Sequence, residues 1–427
     1  MKHRMMLMAC LLLAGMASSR VATAQDTIKV GVLHSLSGTM AISETTLKDT
    51  ILMMIDEQNK KGGLLGKKLQ AVVVDPASDW PLFAEKAAQL LEKDKVAVVF
   101  GCWTSVSRKS VLPVFEKDNG LLFYPVQYEG EESSKNVIYT GAAPNQQAIP
   151  AVDYLMKEVG VKRWVLEGTD YVYPRTTNKI LEAYLLAKGV KAEDITINYT
   201  PFGHSDWQTR VAAIKKFGSA GKKTAVVSTI NGDANVPFYK ELGNQKISAE
   251  DIPVVAFSVG EEELSGLDTK PLVGHLAAWN YFESLSTPAN KAFIDQWHTF
   301  IKKPKRTTND PMEAHYIGFN LWVKAVQKAG TTDVEKVLAA LPGLETPNLT
   351  GGIARMLPNH HITKPVYIGE VKADGQFNVV WKSTGTVPGD AWSDYLPASK
   401  DIDADWVTLK CGNYNKVTKK CSGQNYK

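Results

Sequence analysis

Short apolar runs and amphipathic stretches alternate along the chain after residue 25. The runs Ile28–Leu33 and Leu69–Val74 have the length and the β-branched content of strands. Between them, apolar residues recur at helical spacing from Leu47 to Ile55, which predicts a helix. The run Val96–Phe100 is continuously apolar, as expected of a strand that is buried on both faces. The βαβαβαβ alternation therefore predicts a parallel sheet with helices on both of its faces.

The same alternation restarts at Asn145 and continues to about residue 280, so two α/β lobes are predicted. The tail from about Tyr281 contains further elements with the same two periodicities: helices at Phe293–Ile301, Tyr316–Ala329 and Val334–Leu341, and strand-like runs at Val366–Val371 and Phe377–Trp381.

The composition limits the class of protein. The 427 residues are 44% apolar, which permits a large core and two or three domains. The formal charge is +4, but Lys2, Arg4 and Arg20 contribute most of it, and the chain after residue 24 carries 46 basic against 45 acidic residues. A nearly neutral surface argues against a nucleic-acid-binding protein, which must neutralise phosphates. A mean hydropathy of −0.17 argues against a polytopic membrane protein.

The start of the chain has the layout of an export signal. Met1–Arg4 is basic, Met5–Met16 is largely apolar, and Ala22–Ala24 has the small-x-small pattern of a cleavage site. This order predicts cleavage after about Ala24 and a periplasmic mature protein. Cys10 raises the alternative of a lipoprotein, although a lipidated cysteine normally follows the apolar segment instead of lying inside it.

The cysteines and histidines suggest little catalytic chemistry. Cys411 and Cys421 are ten residues apart in a polar tail, where an oxidising compartment favours a disulfide. Cys102 ends an apolar strand and is interpreted as a buried thiol or a neighbour of a ligand, with a secreted amidase nucleophile as the alternative. No C-x-x-C motif occurs, and the adjacent His360 and His361 point in opposite directions on a strand. We expect surface or inter-strand structure at this pair, no metal and no cofactor.

Polar and aromatic residues cluster where the predicted strands end. In open parallel sheets, ligands bind outside the carboxyl ends of the strands. The corresponding loops are His34–Gly38, Gly101–Ser105, Tyr124–Tyr128, Gly168–Tyr171 and Ile230–Asp233. They are rich in hydroxyls, amides and aromatic rings and poor in cations, which argues against a phosphate or nucleotide site. Glu261–Glu263 is expected to be a solvated helix start, from which one carboxylate could still reach a cleft.

Several motifs in these loops occur together in a known family. They are GCWTS at 101–105, YPVQYEG at 124–130, DYVYPR at 170–175, STINGDANVPFYKEL at 228–242 and NHH at 359–361. In this order, and over nearly the whole chain after residue 28, the sequence resembles the type I periplasmic solute-binding proteins of the branched-chain amino acid class. Within that class it is most similar to the urea and short-chain amide branch.

The resemblance implies an α/β fold of two doubly wound parallel-sheet lobes joined by a hinge. It implies a signal peptide at residues 1–24, a first lobe of residues 25–142 plus 281–350, and a second lobe of residues 143–280 plus 351–427. The periodicity alone indicates two lobes in tandem and does not reveal this exchange of segments. In such proteins the ligand lies between the lobes, and the hinge closes over it.

The resemblance also implies roles for single residues. Trp103 and Tyr124 would form walls of the pocket, Ser105 would hydrogen-bond the ligand, and Tyr171 would contact it from the second lobe. Each has a structural alternative: Ser105 could cap the helix that follows, and the aromatic residues could simply pack. The other candidates share polar side chains in or near the strand-end loops: Thr104, Gln127, Asp170, Asn231, Asp233 and Glu261.

Urea suits such a site because it is small, flat and uncharged, with N–H donors and one carbonyl oxygen. Asp170, Asp233 or Glu261 and the amides could accept its N–H groups, while hydroxyls donate to its oxygen. Gln127 departs from the related amide sensor, which has Thr-Pro after its Tyr-Pro, and this changes the available hydrogen bonds.

The predicted function is therefore that of a non-enzymatic binding protein that delivers urea to the membrane permease of an ABC importer. The alternatives are a short-chain amide or a branched-chain amino acid as solute, and a secreted amidase that uses Cys102. A binding partner of the nucleic-acid class is not expected.

Overall fold

The computed structural model describes residues 26–422, so the expected signal peptide and Cys10 lie outside the described residues. The first sheet is parallel and has the order β2-β1-β3-β4-β5. Its strands are β1 (Ile28–Leu33), β2 (Leu69–Val74), β3 (Val98–Gly101), β4 (Leu122–Tyr124) and β5 (Val137–Tyr139). The helices between them are α1 (Ala41–Lys60), α2 (Trp80–Ala88), which a π-helical turn extends to Lys93, and α3 (Ser105–Lys117).

The second sheet begins with five parallel strands. They are β6 (Arg163–Thr169), β7 (Ile195–Thr200), β8 (Thr224–Thr229), β9 (Val254–Ala256) and β10 (Leu276–Trp279). The helices of this lobe are α4 (Ala148–Lys157), α5 (Val172–Ala187), α6 (Gln208–Gly218), α7 (Asn235–Asn244) and α8 (Glu261–Leu264). The central strands are buried on both faces; in β8, for example, all six residues are buried, including the polar Thr224, Ser228 and Thr229.

The chain then returns to the first lobe with three helices, α9 (Pro288–Ile301), α10 (Asp310–Ala329) and α11 (Val334–Ala340). The long helix α10 begins where Asn309 accepts the N–H of Met312 and ends at Gly330, which has the left-handed conformation. Trp297 and Trp322 pack in one core with β1 and β3. Burial of these large side chains fixes the returning helices on the first sheet.

The remaining strands finish both lobes. After β11 (Glu345–Pro347), β12 (Ile353–Arg355) and β13 (Thr363–Lys364), the strands β14 (Tyr367–Val371) and β15 (Phe377–Lys382) join the second sheet. That sheet has the order β15-β14-β10-β9-β8-β6-β7, in which β14 and β15 are antiparallel. The strand β16 (Val387–Pro388) pairs with β13.

The end of the chain forms a small sheet of β17 (Ile402–Asp405), β18 (Cys411–Asn415) and β19 (Lys420–Cys421). Cys411 and Cys421 form a disulfide within it. The indole Nε1 of Trp406 donates to Ser133 Oγ over 3.0 Å, which places this sheet against the loop before β5.

The predicted bounds of the two lobes stay a prediction. The segment 351–422, which is predicted to belong to the second lobe, contacts both lobes. Met356 and Ile362 pack in the core of the first sheet, whereas Ile368 packs in the second. No helix within residues 26–422 is long and apolar enough to cross a membrane.

The chain passes between the lobes three times: between β5 and α4, between β10 and α9, and between β13 and β14. Buried polar groups connect these three crossings. Asn280 Nδ2 donates to the carbonyl oxygens of Gln146 (3.0 Å) and Pro365 (2.7 Å), which lie on the other two crossings. The buried Lys364 donates to Thr140 O over 3.0 Å. These bonds connect the crossings independently of any contact inside the cleft.

Two expectations about buried residues need correction. The surface alternative for the histidine pair is wrong, since His360 and His361 are 2% and 0% exposed. His361 instead pairs with Tyr139 and stacks on its ring at 4.7 Å, which is inter-strand structure. Glu261 does begin a helix, but Glu261 and Glu263 are buried and not solvated, because α8 lies under the second crossing and against α1.

Candidate ligand site between the lobes

The carboxyl ends of the two sheets face each other across the cleft. On the first lobe, β3 leads into the loop of Trp103 and Thr104, and β4 ends at Tyr124. On the second lobe, Tyr171 lies between β6 and α5, and Asn231 follows β8. The strand-end loops that the parallel topology predicts as ligand-binding therefore come from both lobes.

Trp103 is held from two directions and is 2% exposed. Its backbone N–H donates to Glu44 Oε1 of α1 over 2.9 Å. Its indole Nε1 donates to Asn231 Oδ1 of the second lobe over 3.2 Å. Trp103 is thus a bridge between the lobes.

Further hydrogen bonds join the two lobes around this bridge. They run from Gln127 Nε2 to Ser258 Oγ (2.7 Å), from Ser43 Oγ to Glu263 Oε1 (2.6 Å) and from the backbone N–H of Asp233 to Thr39 O (3.1 Å). These bonds hold the strand-end loops of the two lobes close together.

A buried charge cluster lies at the first-lobe side of the site. The guanidinium of Arg108 donates to Glu132 Oε1 (2.7 Å), to Glu129 Oε1 (3.0 Å) and to Ser105 Oγ (3.0 Å). Ser105 Oγ in turn donates to Glu129 Oε2 over 2.5 Å. Burial alone would raise the pKa of Glu132, but Arg108 and Lys109 outweigh burial and hold it at about 2.

This cluster is electrically balanced. Two carboxylates, those of Glu129 and Glu132, face two cations, Arg108 and Lys109. The Arg108 guanidinium also lies 4.8 Å from the ring centroids of Tyr124 and Tyr128. Arg108 is therefore fully engaged within the protein and offers no free charge to an anion.

Several buried polar atoms near the cluster have no hydrogen-bond partner within the described part of the chain. They are Thr104 Oγ1, Tyr124 Oη, Gln127 Oε1 and Tyr173 Oη. Burial raises the pKa of Tyr124 and of Tyr173, so both phenols keep their protons and can donate. Unsatisfied buried polar groups are costly in a folded protein, and a polar ligand would supply their partners.

The structure brings together most of the site residues predicted from the sequence. Those that surround the same space are Trp103, Thr104, Ser105, Tyr124, Gln127, Tyr171 and Asn231. Tyr171 is 9% exposed, and its ring lies 6.1 Å from that of Tyr173.

Three predicted carboxylates are not brought into this group. Asp170 is exposed and pairs with Arg175 over 2.6 Å, and the side chain of Asp233 is exposed at the cleft edge. Glu261 accepts the N–H of Glu283 over 2.7 Å, beneath the second crossing. Two other acidic residues lie at the site: Glu129, next to Ser105, and Glu44, next to Trp103.

Sequence reasoning missed Glu129, Arg108, Tyr173 and Ser258 as site residues. Glu129 stands inside the YPVQYEG motif, so the motif itself was a usable signal. Arg108 lies one helical turn after Thr104 on α3, and its N–H donates to the Thr104 carbonyl oxygen. Its burial could not be read from a charged residue type alone.

Cys102 has the environment of a packing residue. The thiol is fully buried, and burial raises its pKa to about 12. A catalytic cysteine needs its thiolate, which such a pKa suppresses at neutral pH. The amidase alternative therefore has no activated nucleophile in Cys102.

Comparison with known proteins agrees with the fold. Residues 28–398 match the family model described as "Periplasmic binding protein domain". The chain is 24% identical over 357 residues to a "Leu/Ile/Val-binding protein homolog 6" of Brucella melitensis, covering 82% of this chain and 89% of that protein. It is 26% identical over 355 residues to "Leu/Ile/Val-binding protein BraC3" of Rhizobium johnstonii, covering 80% and 90%.

A shorter stretch of 125 residues is 31% identical to a "Limonene hydroxylase" of Geobacillus stearothermophilus, but it spans only 22% of that protein and 29% of this chain.

Two solved structures that resemble this chain are of binding proteins as well. One is a solute-binding protein of an ABC transporter from Rhodopseudomonas palustris in complex with p-hydroxybenzoic acid, with a TM-score of 0.73, 21% identity, and coverage of 85% and 98%. Another is a leucine-binding protein from Thermotoga maritima, with a TM-score of 0.68, 18% identity, and coverage of 83% and 98%. The chain belongs to the periplasmic binding protein family, and it is a binding protein and not an enzyme.

Proposed function

We propose that this protein is the solute-binding component of an ABC importer, that it works in the periplasm, and that its solute is urea. The observation that carries the proposal is the balanced cluster around Arg108, next to buried polar atoms that lack partners within the described residues. Such a site suits a polar solute without net charge. The membrane permease of the importer would be its partner.

The charge balance disfavours a carboxylate ligand. Arg108 already meets Glu129 and Glu132, and the Ser105 hydroxyl donates to Glu129. A ligand carboxylate placed beside Ser105 would face the carboxylate of Glu129, and the nearby Arg108 is already paired and could not offset the repulsion. Amino acids and hydroxybenzoate carry such a carboxylate, so the site of this chain supports a different solute from those named for its relatives.

The unpaired atoms match the hydrogen-bonding groups of urea. Gln127 Oε1 and the carboxylate of Glu129 can accept its N–H groups, and the hydroxyls of Tyr124, Tyr173 and Thr104 can donate to its oxygen. A solute that lacks one N–H group would leave an acceptor unpaired, at a cost of about 1–3 kcal/mol. Acetamide and formamide, which are short amides, are therefore expected to bind more weakly than urea.

A branched-chain amino acid is the second candidate. It is favoured by the similarity to Leu/Ile/Val-binding proteins over four fifths of the chain, with 80–82% coverage. An amino acid would need a cation or free N–H groups for its carboxylate, and Arg108 could serve only if it left Glu129 or Glu132.

Isothermal titration calorimetry of the purified protein with urea, acetamide, formamide and leucine tests the proposal. We expect saturable binding of urea, weaker binding of both amides, and no heat from leucine. Binding of leucine without urea would overturn the urea assignment and would support the second candidate, while the assignment to the family would stand.

A further inference from the structure

We propose that Glu129 is the carboxylate that accepts an N–H group of the solute, and that Ser105 positions Glu129 instead of donating to the solute. This inference rests on the proposed function, because it assigns the acceptor for a urea-type ligand. It also changes the role that family resemblance implies for Ser105.

The hydroxyl of Ser105 has its only proton engaged within the protein. Its single proton points to Glu129 Oε2 over 2.5 Å, and its oxygen accepts from Arg108 Nη1 over 3.0 Å. A hydroxyl has only one proton to donate. Ser105 therefore cannot donate to the solute oxygen while it holds Glu129.

Glu129 keeps accepting capacity after these contacts. Each of its carboxylate oxygens accepts one hydrogen bond, from Ser105 and from Arg108, and a carboxylate has roughly four accepting positions. The side chain is 1% exposed, so water does not fill the remaining positions freely. Charge-assisted hydrogen bonds of this kind are shorter and stronger than neutral ones.

The neighbours of Glu129 belong to both lobes. The carboxylate of Glu129 contacts Ser105 and Arg108 in the first lobe, and Gln127, two residues before it, donates to Ser258 Oγ of the second lobe over 2.7 Å. The hydroxyls of Tyr124 in the first lobe and Tyr173 in the second, whose pKa values are raised by burial and to a smaller extent by Glu129, have no hydrogen-bond partner among the described residues. Glu129 is thus an acidic group next to the contact between the lobes.

Glu132 is a matched control for Glu129. Both carboxylates bind Arg108, at 3.0 Å for Glu129 and 2.7 Å for Glu132. Glu132, however, also pairs with Lys109 and accepts from the hydroxyl of Tyr139 over 2.9 Å, on the inner side of the first lobe. Replacing either residue removes one negative charge from Arg108, but only Glu129 lies at the cleft.

The experiment measures urea affinity by calorimetry for the wild type and for the Glu129→Gln, Glu132→Gln, Ser105→Ala and Ser105→Ala/Glu129→Gln variants. Circular dichroism and thermal unfolding monitor the fold of each. We expect Glu129→Gln to weaken urea binding by about 10- to 100-fold, as for other hydrogen bonds to a charged group. Glu132→Gln is expected to lower the melting temperature and to weaken urea binding less than Glu129→Gln does, because Glu132 holds Arg108 without contacting the solute.

The double variant distinguishes a positioning role of Ser105 from direct contact. If Ser105 acts through Glu129, the double variant binds urea as weakly as Glu129→Gln alone, because the two changes remove one interaction. Additive losses would show that Ser105 contacts the solute and would overturn its assignment as a positioning residue.

Two further outcomes separate this inference from the proposed function. A wild-type protein that does not bind urea overturns the proposed function. A wild-type protein that binds urea, with equal losses in Glu129→Gln and Glu132→Gln or no loss in Glu129→Gln, overturns only the assignment of Glu129. If Glu129→Gln does not fold, Glu129→Asp, which retains the charge on a shorter side chain, replaces it with the same expected direction.

Discussion

At the scale of single residues, Trp103 shows how one side chain can connect two lobes. Its indole N–H reaches Asn231 across the cleft, and its backbone N–H reaches Glu44. The sequence pointed to Trp103 because it is a large aromatic residue among hydroxyls at a strand end, where a parallel sheet binds its ligand. The bond to Asn231 could not be foreseen, since it depends on how the two lobes meet.

Replacing Trp103 by Phe tests the bridge. Phe keeps an aromatic wall but has no N–H, so Asn231 Oδ1 loses its partner, and we expect the Kd for urea to rise by about 3- to 30-fold, as for the loss of one buried hydrogen bond. Trp392→Phe is the control, because it removes an equivalent indole bond to Gly412 O in the carboxyl-terminal region. Unchanged affinity in Trp103→Phe, measured by calorimetry, would contradict a bridging role.

The charged residues of the site mark the limit of residue-level prediction. A carboxylate and an arginine are usually solvated, so Arg108 and Glu129 carried no sign of burial in the sequence. They lie 21 positions apart, and they pair only because β4 runs parallel to β3 and returns the chain to the same edge of the sheet. The polar loops were predictable, but the partners within them were not.

At the scale of elements, the apolar patterns predicted the strands and helices well. β1 and β2 begin and end at the predicted residues, since polar residues flank both apolar runs. Three-residue strands such as β5 have too few positions to show a period, and β5 was missed for that reason. Element type therefore followed from sequence wherever a run was long enough to repeat.

The loop before α7 gives an element-scale prediction. Gly232 has a φ of +69°, and a Cβ there would lie 2.6 Å from Thr39 O, just before α1 on the opposite lobe. Gly232→Ala should therefore both strain the backbone and push the lobes apart, and we expect urea affinity to fall by at least about 10-fold.

Gly221→Ala is the matched control for that loop. Gly221 has a φ of +76°, but no other atom lies within 4 Å of the place that a Cβ would take, so the variant carries the same backbone strain without the clash. Both variants should lose about 1 kcal/mol of unfolding free energy, while only Gly232→Ala loses affinity. Equal affinities for the two variants in calorimetry would refute the close approach of this loop to Thr39.

At the scale of the whole molecule, the three crossings between the lobes form the hinge. The exchange of segments between lobes came from family resemblance, because hydrophobic periodicity carries no information on which sheet a helix returns to. Lys364, Asp310 and Glu313 are all buried near these crossings. Lys364 opposes the effect of burial on the pKa of both carboxyl groups.

Glu313 makes the stability of this region depend on pH. Burial raises its pKa from 4.5 to about 8, and Lys364 offsets only part of that rise. Between these pH values the folded protein holds a proton that the unfolded chain releases, so the free energy of unfolding falls as pH rises. Below pH 4.5 the carboxyl group of Glu313 is protonated in the folded and in the unfolded state, and its full contribution to stability is present.

Glu313→Gln should remove this dependence. The variant keeps an oxygen for the N–H of Leu349 but cannot ionise. We therefore expect its free energy of unfolding to be about 2 kcal/mol higher than that of the wild type near pH 8, and similar to it near pH 4.5. Urea denaturation is unsuitable for a protein proposed to bind urea, so guanidinium chloride titrations at both pH values provide the measurement. Glu345→Gln, at an exposed position, is the control. A parallel pH profile for Glu313→Gln and wild type would contradict the prediction.

The contact between the carboxyl-terminal sheet and Ser133 affects how this protein can be engineered. The family match stops at residue 398, so trimming the chain to that boundary would keep both main sheets yet remove Trp406 and uncover the loop next to Glu132. That loop carries a carboxylate that neutralises Arg108. A biosensor or crystallisation variant should therefore retain the chain through Cys421, and a fluorophore that reports solute capture belongs on the second lobe, away from this support.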